Sequence, residues 1–233
     1  MPEVRNKPAG IIGIDLGITS FIATSNKQKV DHPACLRKSE RKLARYQRLL
    51  SKKKNGSNNK SKQRLKVALL HEKISNQRHD FLHKLSRKIV DENQAVYLES
   101  LNVKGMMQNR HLSKSIADSG WSEFARQLKY KGEWYGTKVV QIGRFVPSTK
   151  TCSACDAVNH DLSLKDRVWT CPSCKTIHDR DINAATVIKK VGQDMPDIKP
   201  VEKMASVLSF KRKGKPASMK QEAHVKMHRI LTP

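Results

Sequence analysis

Four of the five cysteines fall in two close pairs, Cys152-Ser-Ala-Cys155 and Cys171-Pro-Ser-Cys174, with fifteen residues between the pairs. Two C-x2-C knuckles at this spacing bring four thiolates around one Zn²⁺ tetrahedrally, the pattern of a zinc ribbon. Four protein ligands leave no open coordination position, so this metal is expected to hold structure. Binding energies in such sites are on the order of 10–16 kcal/mol, so a small ribbon depends on its metal to fold. The alternatives are two reduced thiol pairs or one redox C-x-x-C. The redox use is disfavoured because no thioredoxin-like strand–helix context surrounds either pair. Cys35 reads as a small buried residue, and His178 as a structural or surface histidine.

Three acidic residues stand in settings that a solvated charge does not need. Asp15 interrupts the apolar run Ile11-Ile12-Gly13-Ile14-Asp15-Leu16-Gly17. A charge in a buried strand is costly unless it is paired or binds a metal. Glu99 ends a second apolar run, Ala95-Val96-Tyr97-Leu98-Glu99. Asp181 lies in His178-Asp179-Arg180-Asp181-Ile182-Asn183-Ala184, directly after the second knuckle. Capping explains part of this pattern: Asp15 can cap a turn, and Asp179 or Asp181 can cap the helix that carries Ile182, Ala185 and Ile188. If the three acids meet, each like-charge pair repels by about 4 kcal/mol at ~4 Å and an effective dielectric of ~20. Protons or divalent cations must then neutralise them, and all-oxygen ligation favours Mg²⁺ or Mn²⁺. Two such ions activate a water and stabilise the leaving oxygen in phosphodiester cleavage.

The elements that must position these groups are read from periodicity. Ile11–Leu16 is a buried strand. Ile18–Ser25 and Lys27–His32 follow as β-branched or alternating segments, which together suggest an antiparallel meander. From Leu36 to Val90 the period becomes helical. Leu36, Leu43, Tyr46 and Leu50 share one face, the stretch Lys53–Asn59 is a turn, and a second helix carries Leu65, Leu69, Phe81, Leu82, Leu85 and Ile89 as its apolar contacts. Ala95–Glu99 is a strand, residues 100–120 read as loop, Trp121–Trp134 as a helix and Thr137–Ile142 as a strand. This order of strands and helices suits an α/β domain with a mixed sheet.

Composition narrows the partners. The chain of 233 residues has a formal net charge of +25, from 46 Lys plus Arg against 21 Asp plus Glu. Between Leu36 and Lys66 there are 13 basic residues and one acidic residue, Glu40. An ordinary solvated face mixes both signs, so Arg37, Lys38, Arg41, Lys42, Arg45, Arg48, Lys52, Lys53 and Lys54 are expected to contact phosphates. Nucleic acid is the leading partner. An anionic membrane is set aside because no long apolar span or amphipathic anchor is visible. With no apolar signal segment after Met1, the cytoplasm is expected.

Together these motifs resemble the transposon-encoded TnpB proteins of bacterial insertion sequences. The nuclease core of that family is RuvC-like, with an RNase H fold, and is similar to that of the compact type V CRISPR effectors. The matching stretches are G-I-D-L-G at Gly13–Gly17, Y-L-E-S-L-N at Tyr97–Asn102, P-S-T-K-T-C-S-A-C at Pro147–Cys155, W-T-C-P-S-C ending at Cys174, and H-D-R-D-I-N-A-A at His178–Ala185. The resemblance implies that Asp15, Glu99 and Asp181 are the catalytic acids, with Asp179 in support, and that the four cysteines form a zinc ribbon before the last acid. It implies RNA-guided DNA cleavage beside a short transposon-associated motif, with DNA and guide RNA as partners in a bacterial, nucleoid-associated setting.

The expected domains are a nuclease core over 1–149 with the basic hairpin at 36–90, a zinc ribbon over 150–178, a final catalytic segment over 179–191, and a basic, disordered tail over 192–233. Two departures stand out. The family carries a sizeable N-terminal region before the first acid, so a truncated form is expected. Its alternative function is that of a catalytically idle nucleic-acid-binding protein that modulates transposition. Strand transfer as well as cleavage is a third, weaker option. Asp156 and Lys175 also stand where each knuckle of the family has Gly, and positive φ is strained for a lysine.

Overall fold

Strand β1 (Ile11–Leu16) lies at the centre of a five-stranded sheet and divides its side chains between two layers. The computed structural model describes residues 10–143, 146–163 and 165–195, all within one compact unit. After β1 come β2 (Ser20–Thr24), β3 (Lys29–Asp31), the helices α1 (Cys35–Ser51) and α2 (Asn58–Glu92), and β4 (Ala95–Glu99). Then follow α3 (Val103–Met106), α4 (Ser113–Ser119), α5 (Trp121–Tyr135) and β5 (Lys138–Ile142). The small strands β6 (Val168–Thr170) and β7 (Ile177–Asp179) form an antiparallel hairpin, and α6 (Arg180–Asp194) closes the described chain.

The sheet order is β3-β2-β1-β4-β5, with the expected antiparallel meander on one side and parallel β1–β4 and β4–β5 pairs on the other. Parallel pairing needs long crossovers, and the α1–α2 hairpin and the α3–α5 segment supply them. Strand alternation sends Ile12, Ile14 and Leu16 to one face, where they meet Val96, Leu98, Leu82, Val90, Trp121, Phe124 and Leu128. Full burial of each such side chain contributes about 1.5–3 kcal/mol. Ile11, Ala95 and Tyr97 face the opposite way and pack with Ile142 and Ile188.

On that second face the backbones come very close. A Cβ added at Gly13 would lie 2.1 Å from the Ala185 carbonyl oxygen, and one at Gly192 would lie 2.1 Å from the Tyr97 ring. Only glycine lets α6 settle directly on β1 and β4.

Two sequence expectations are corrected. Leu65 and Leu69 are 59% and 53% exposed rather than packed. The inward stripe of α2 instead runs through Gln63, Val67, Leu70 and Ile74, against Cys35 and Leu43 of α1. Leu65 sits about 200° around the helix from Gln63, so it faces water. Residues 100–120 are not simply loop. Asn102 accepts from the Gly105 N–H to start α3, and buried Ile116 and Ser119 anchor α4. Elements of four and seven residues carry too few apolar positions to show a period. The basic tail lies outside the described residues from position 196 onward. No helix among the described residues is long and apolar enough to cross a membrane.

Candidate active site

The strand register decides which acids can meet. Ile14 of β1 pairs with Leu98 of β4 in parallel, so the next row sets Asp15 beside Glu99 on the face that α6 covers. Neighbouring strands are about 4.8 Å apart. Helix α6 crosses that face with its N-terminus toward these strand ends, which brings in Asp181 from its first turn.

Asp15 senses both partners. Burial foremost, then Glu99 and Asp181, push its carboxyl up to about 8, while Arg180 and Lys29 oppose the rise. Burial also raises Glu99, against the Leu16 backbone N–H. The neutral carboxylic acid form of Asp15 is therefore favoured, because burial foremost, and then the neighbouring acids, disfavour its charge.

Cations attend the last acid. Arg180 donates to Asp181 Oδ1 at 3.1 and 3.3 Å. Lys29 Nζ lies 3.7 Å from Asp181 Oδ2, and Arg167 Nη1 lies 3.7 Å from Oδ1. Asp179 is the helix cap: its Oδ1 accepts from the N–H groups of Asp181 and Ile182, and its Oδ2 accepts from Lys29 at 2.8 Å. Burial works to raise Asp179, yet Lys29 and the two N–H donors outweigh it and leave its carboxyl below the usual range. The capping expected of Asp179 or Asp181 thus falls to Asp179, and Asp181 lies near enough to Asp15 to raise its carboxyl. Among the described residues the three acids are not drawn together as tightly as the four cysteines, whose ligand atoms all lie within 4.8 Å of one another.

The four cysteine sulfurs are a group of ligand atoms all within 4.8 Å of one another. Cys152 and Cys174 sulfurs are 3.6 Å apart, and those of Cys155 and Cys171 are 3.7 Å apart. A Zn–S bond of about 2.3 Å gives a tetrahedron with edges of about 3.8 Å, so the spacing fits one zinc ion. Burial pushes the Cys152 thiol up to about 12, whereas the Thr176 hydroxyl and N–H bring Cys174 down to about 6. Asp156 and Lys175 both have positive φ, 60° and 61°, and each closes its knuckle by donating to the carbonyl of Cys152 or Cys171.

His178 takes the structural of its two expected roles, whereas sequence reasoning missed Asn183 and Lys29. His178 is buried with Nε2 3.0 Å from the Cys152 sulfur, against the Trp169 ring. Asn183 is buried on α6; it donates to the Thr151 carbonyl at 2.7 Å and accepts from the Ser153 N–H at 2.9 Å. A buried asparagine two residues after an acid was the available signal for Asn183. Lys29 had none, because it lies 150 residues from Asp179 in the chain.

The nine basic residues expected to contact phosphates, Arg37, Lys38, Arg41, Lys42, Arg45, Arg48, Lys52, Lys53 and Lys54, are all exposed on α1 and the turn after it. They do not join the carboxylates, whose basic neighbours are Lys29, Arg167 and Arg180.

Comparison with known proteins agrees with this geometry. Residues 2–110 match the OrfB_IS605 family model, described as "Probable transposase", and residues 121–188 match a "Cas12f1-like, TNB domain". The chain is 44% identical over 181 residues to a "Putative RNA-guided DNA endonuclease" of Streptomyces pristinaespiralis, covering 78% of this chain and 45% of that protein. It is 29% identical over 202 residues to "TnpB-like protein L79" of Acanthamoeba polyphaga mimivirus, covering 80% and 38%. Its fold is similar to that in the cryo-EM structure of a Cas12f1-sgRNA-target DNA complex, with TM-score 0.56 and 20% identity over 77% of this chain and 49% of the other. The chain spans about half the length of the relatives it matches, or less.

Proposed function

Because this chain belongs to the TnpB family, we propose that it is the RuvC-type, RNase H-like nuclease core of an RNA-guided DNA endonuclease. Its parts are the core over 1–149 with the basic hairpin at 36–90, the zinc ribbon over 150–178, the last acid segment from 179, and a basic tail that begins after α6 rather than at the expected position 192, because α6 runs on to Asp194 with Gly192 packed on Tyr97. The observation that carries the reading is the adjacent placing of Asp15 and Glu99 at the ends of β1 and β4, with burial foremost and then Glu99 and Asp181 raising the Asp15 carboxyl.

Buried, mutually repelling carboxylates fit hard divalent cations. Asp15, Glu99 and Asp181 would hold two Mg²⁺ or Mn²⁺ ions, and Cys152, Cys155, Cys171 and Cys174 would hold one structural Zn²⁺. When bound, the hard cations supply an activated water and stabilise the leaving oxygen of a phosphodiester. The chain's own groups prepare the site. Asp15 would hold such an ion as a carboxylate, and Arg180 and Lys29 orient Asp181 and Asp179. Leu16 donates its N–H to Glu99. The exposed bases of the hairpin lie along the phosphates of a duplex, a guide–target heteroduplex in the full-length family.

The alternative is a catalytically idle nucleic-acid-binding protein that modulates transposition. It is favoured by the ion pairs that occupy Asp181. Cleavage of labelled single-stranded DNA by the zinc-loaded chain separates the two, run with Mg²⁺, with Mn²⁺ and without either, beside Asp181→Ala. Cutting that needs the divalent ion and is lost in the variant is expected. Salt-sensitive binding with no cutting would replace the nuclease reading by the idle binder.

A further inference from the structure

We propose that the outward face of α5 is a stacking platform for single-stranded DNA, placed where a strand leaves the carboxylate groove. The proposal rests on the nuclease reading above and adds a surface to it.

A groove of about 400 Å³ lies between the sheet and α5, lined among others by Leu16, Glu99, Gln141, Trp121, Arg126 and Lys129. One of the three acids therefore faces a channel walled by this helix. On α5 the inward positions Trp121, Phe124 and Leu128 are fully buried and complete its packing. Trp134 takes no part in that core and is 56% exposed. It belongs to a second stripe, Arg126–Tyr130–Trp134, at four-residue steps that span about 12 Å.

The stripe is already held together by ring contacts. The Arg126 guanidinium lies 5.3 Å from the Tyr130 ring centroid, and the Tyr130 and Trp134 rings meet edge to face at 4.8 Å and 67°. Glu123 holds Arg126 through two bonds of 2.7 Å, which fixes the guanidinium plane and offsets its charge. Arg126 thus offers a flat surface rather than a phosphate clamp, and the exposed ammonium of Lys129 supplies the positive charge of the groove wall. Arg126 both lines the groove and touches Tyr130, so groove and stripe are continuous.

This chemistry selects an unpaired strand. In a duplex the base faces are stacked away, whereas a single strand presents a π-face at every base. Stacking on an aromatic side chain does not depend on which base it is. The strand assigned here is DNA, because Glu99 in the same groove is one of the acids assigned to DNA cleavage.

The test is an equilibrium titration of the zinc-loaded full chain carrying Asp15→Ala, so that no substrate is consumed. The probes are fluorescein-labelled oligo(dT), oligo(U) of equal length and a DNA duplex. Adding Trp134→Ala should weaken oligo(dT) binding by about 5- to 150-fold and leave the duplex unchanged. Trp134→Phe should retain most of the affinity, which separates stacking from damage to the fold. Equal oligo(dT) affinity with and without Trp134 would overturn the platform while leaving the nuclease reading intact. A parallel loss for the duplex, or a loss with oligo(U) alone, would overturn it as well. No binding by the Asp15→Ala parent to any probe would remove both readings together.

Discussion

The Asn183 amide donates to the Thr151 carbonyl at 2.7 Å, so the helix that carries Asp181 is tied to the residue preceding the first thiol of the zinc knuckle. The same side chain accepts from the Ser153 N–H, on the other side of Cys152. Asn183→Ala leaves a carbonyl and an N–H without partners at a buried junction. The expected loss is about 2–4 kcal/mol of stability by urea denaturation. Asn183→Asp keeps the acceptor but not the donor and should fall between. Equal stability of all three proteins would show that the tie does not hold α6 to the knuckle.

Asp15 sets a pH dependence with a definite sign. Its carboxyl is raised from 3.8 to about 8 by burial and by Glu99 and Asp181. Below about pH 4 both the folded and the unfolded chain hold the proton. Between there and about 8 only the folded chain holds it, so stability falls as pH rises, by at most about 1.4 kcal/mol per unit from this group. Above about 8 the slope from this group ends. In zinc-containing buffer without Mg²⁺, Asp15→Asn should lose this slope, and Mg²⁺ at pH 8 should stabilise the parent but not the variant. Thermal melts from pH 5 to 8 measure both; parallel curves would contradict the assignment.

Lys175 has φ 61° in the second knuckle, a conformation that costs an ordinary L-residue roughly 1–2 kcal/mol. Its amide donates to the Cys171 carbonyl, and glycine keeps that bond. Lys175→Gly should therefore raise the melting temperature by a few degrees with zinc content unchanged, as measured by calorimetry and a colorimetric zinc assay. A lower melting temperature would mean that the lysine side chain contributes more than the backbone strain costs.

Removal of zinc is expected to release one ion per chain and to expose Trp169, which packs against Cys152, Cys171 and the His178 ring. Tryptophan fluorescence during chelation follows this. An unchanged spectrum after the ion has left would show that the cluster holds its shape without metal.

The hairpin prediction concerns salt. If its exposed bases neutralise about 6–10 phosphates, affinity for DNA should drop roughly 10³- to 10⁵-fold between 50 and 200 mM salt. Replacing Arg41, Lys42 and Arg45 with Gln should flatten the slope by about three counterions. A slope that ignores these charges would move the phosphate contact elsewhere.

The one-dimensional pattern was enough for the meander, the two long helices and the thiol spacing. Each of these depends on local period or on fixed ligand chemistry, which a short stretch of chain carries in full. It was misleading at Leu65 and Leu69, because the first half of α2 packs only one stripe against α1 and leaves the opposite side to water. Only the tertiary structure decided that Asp15 and Glu99 share a row and a face, since register depends on the pairing of strands some eighty residues apart. It also decided that Lys29, Arg167 and Arg180 converge on the last acids and that Asn183 bridges two centres. Such pairings arise from packing: α6 can settle on β1 and β4 because Gly13 and Gly192 lack side chains.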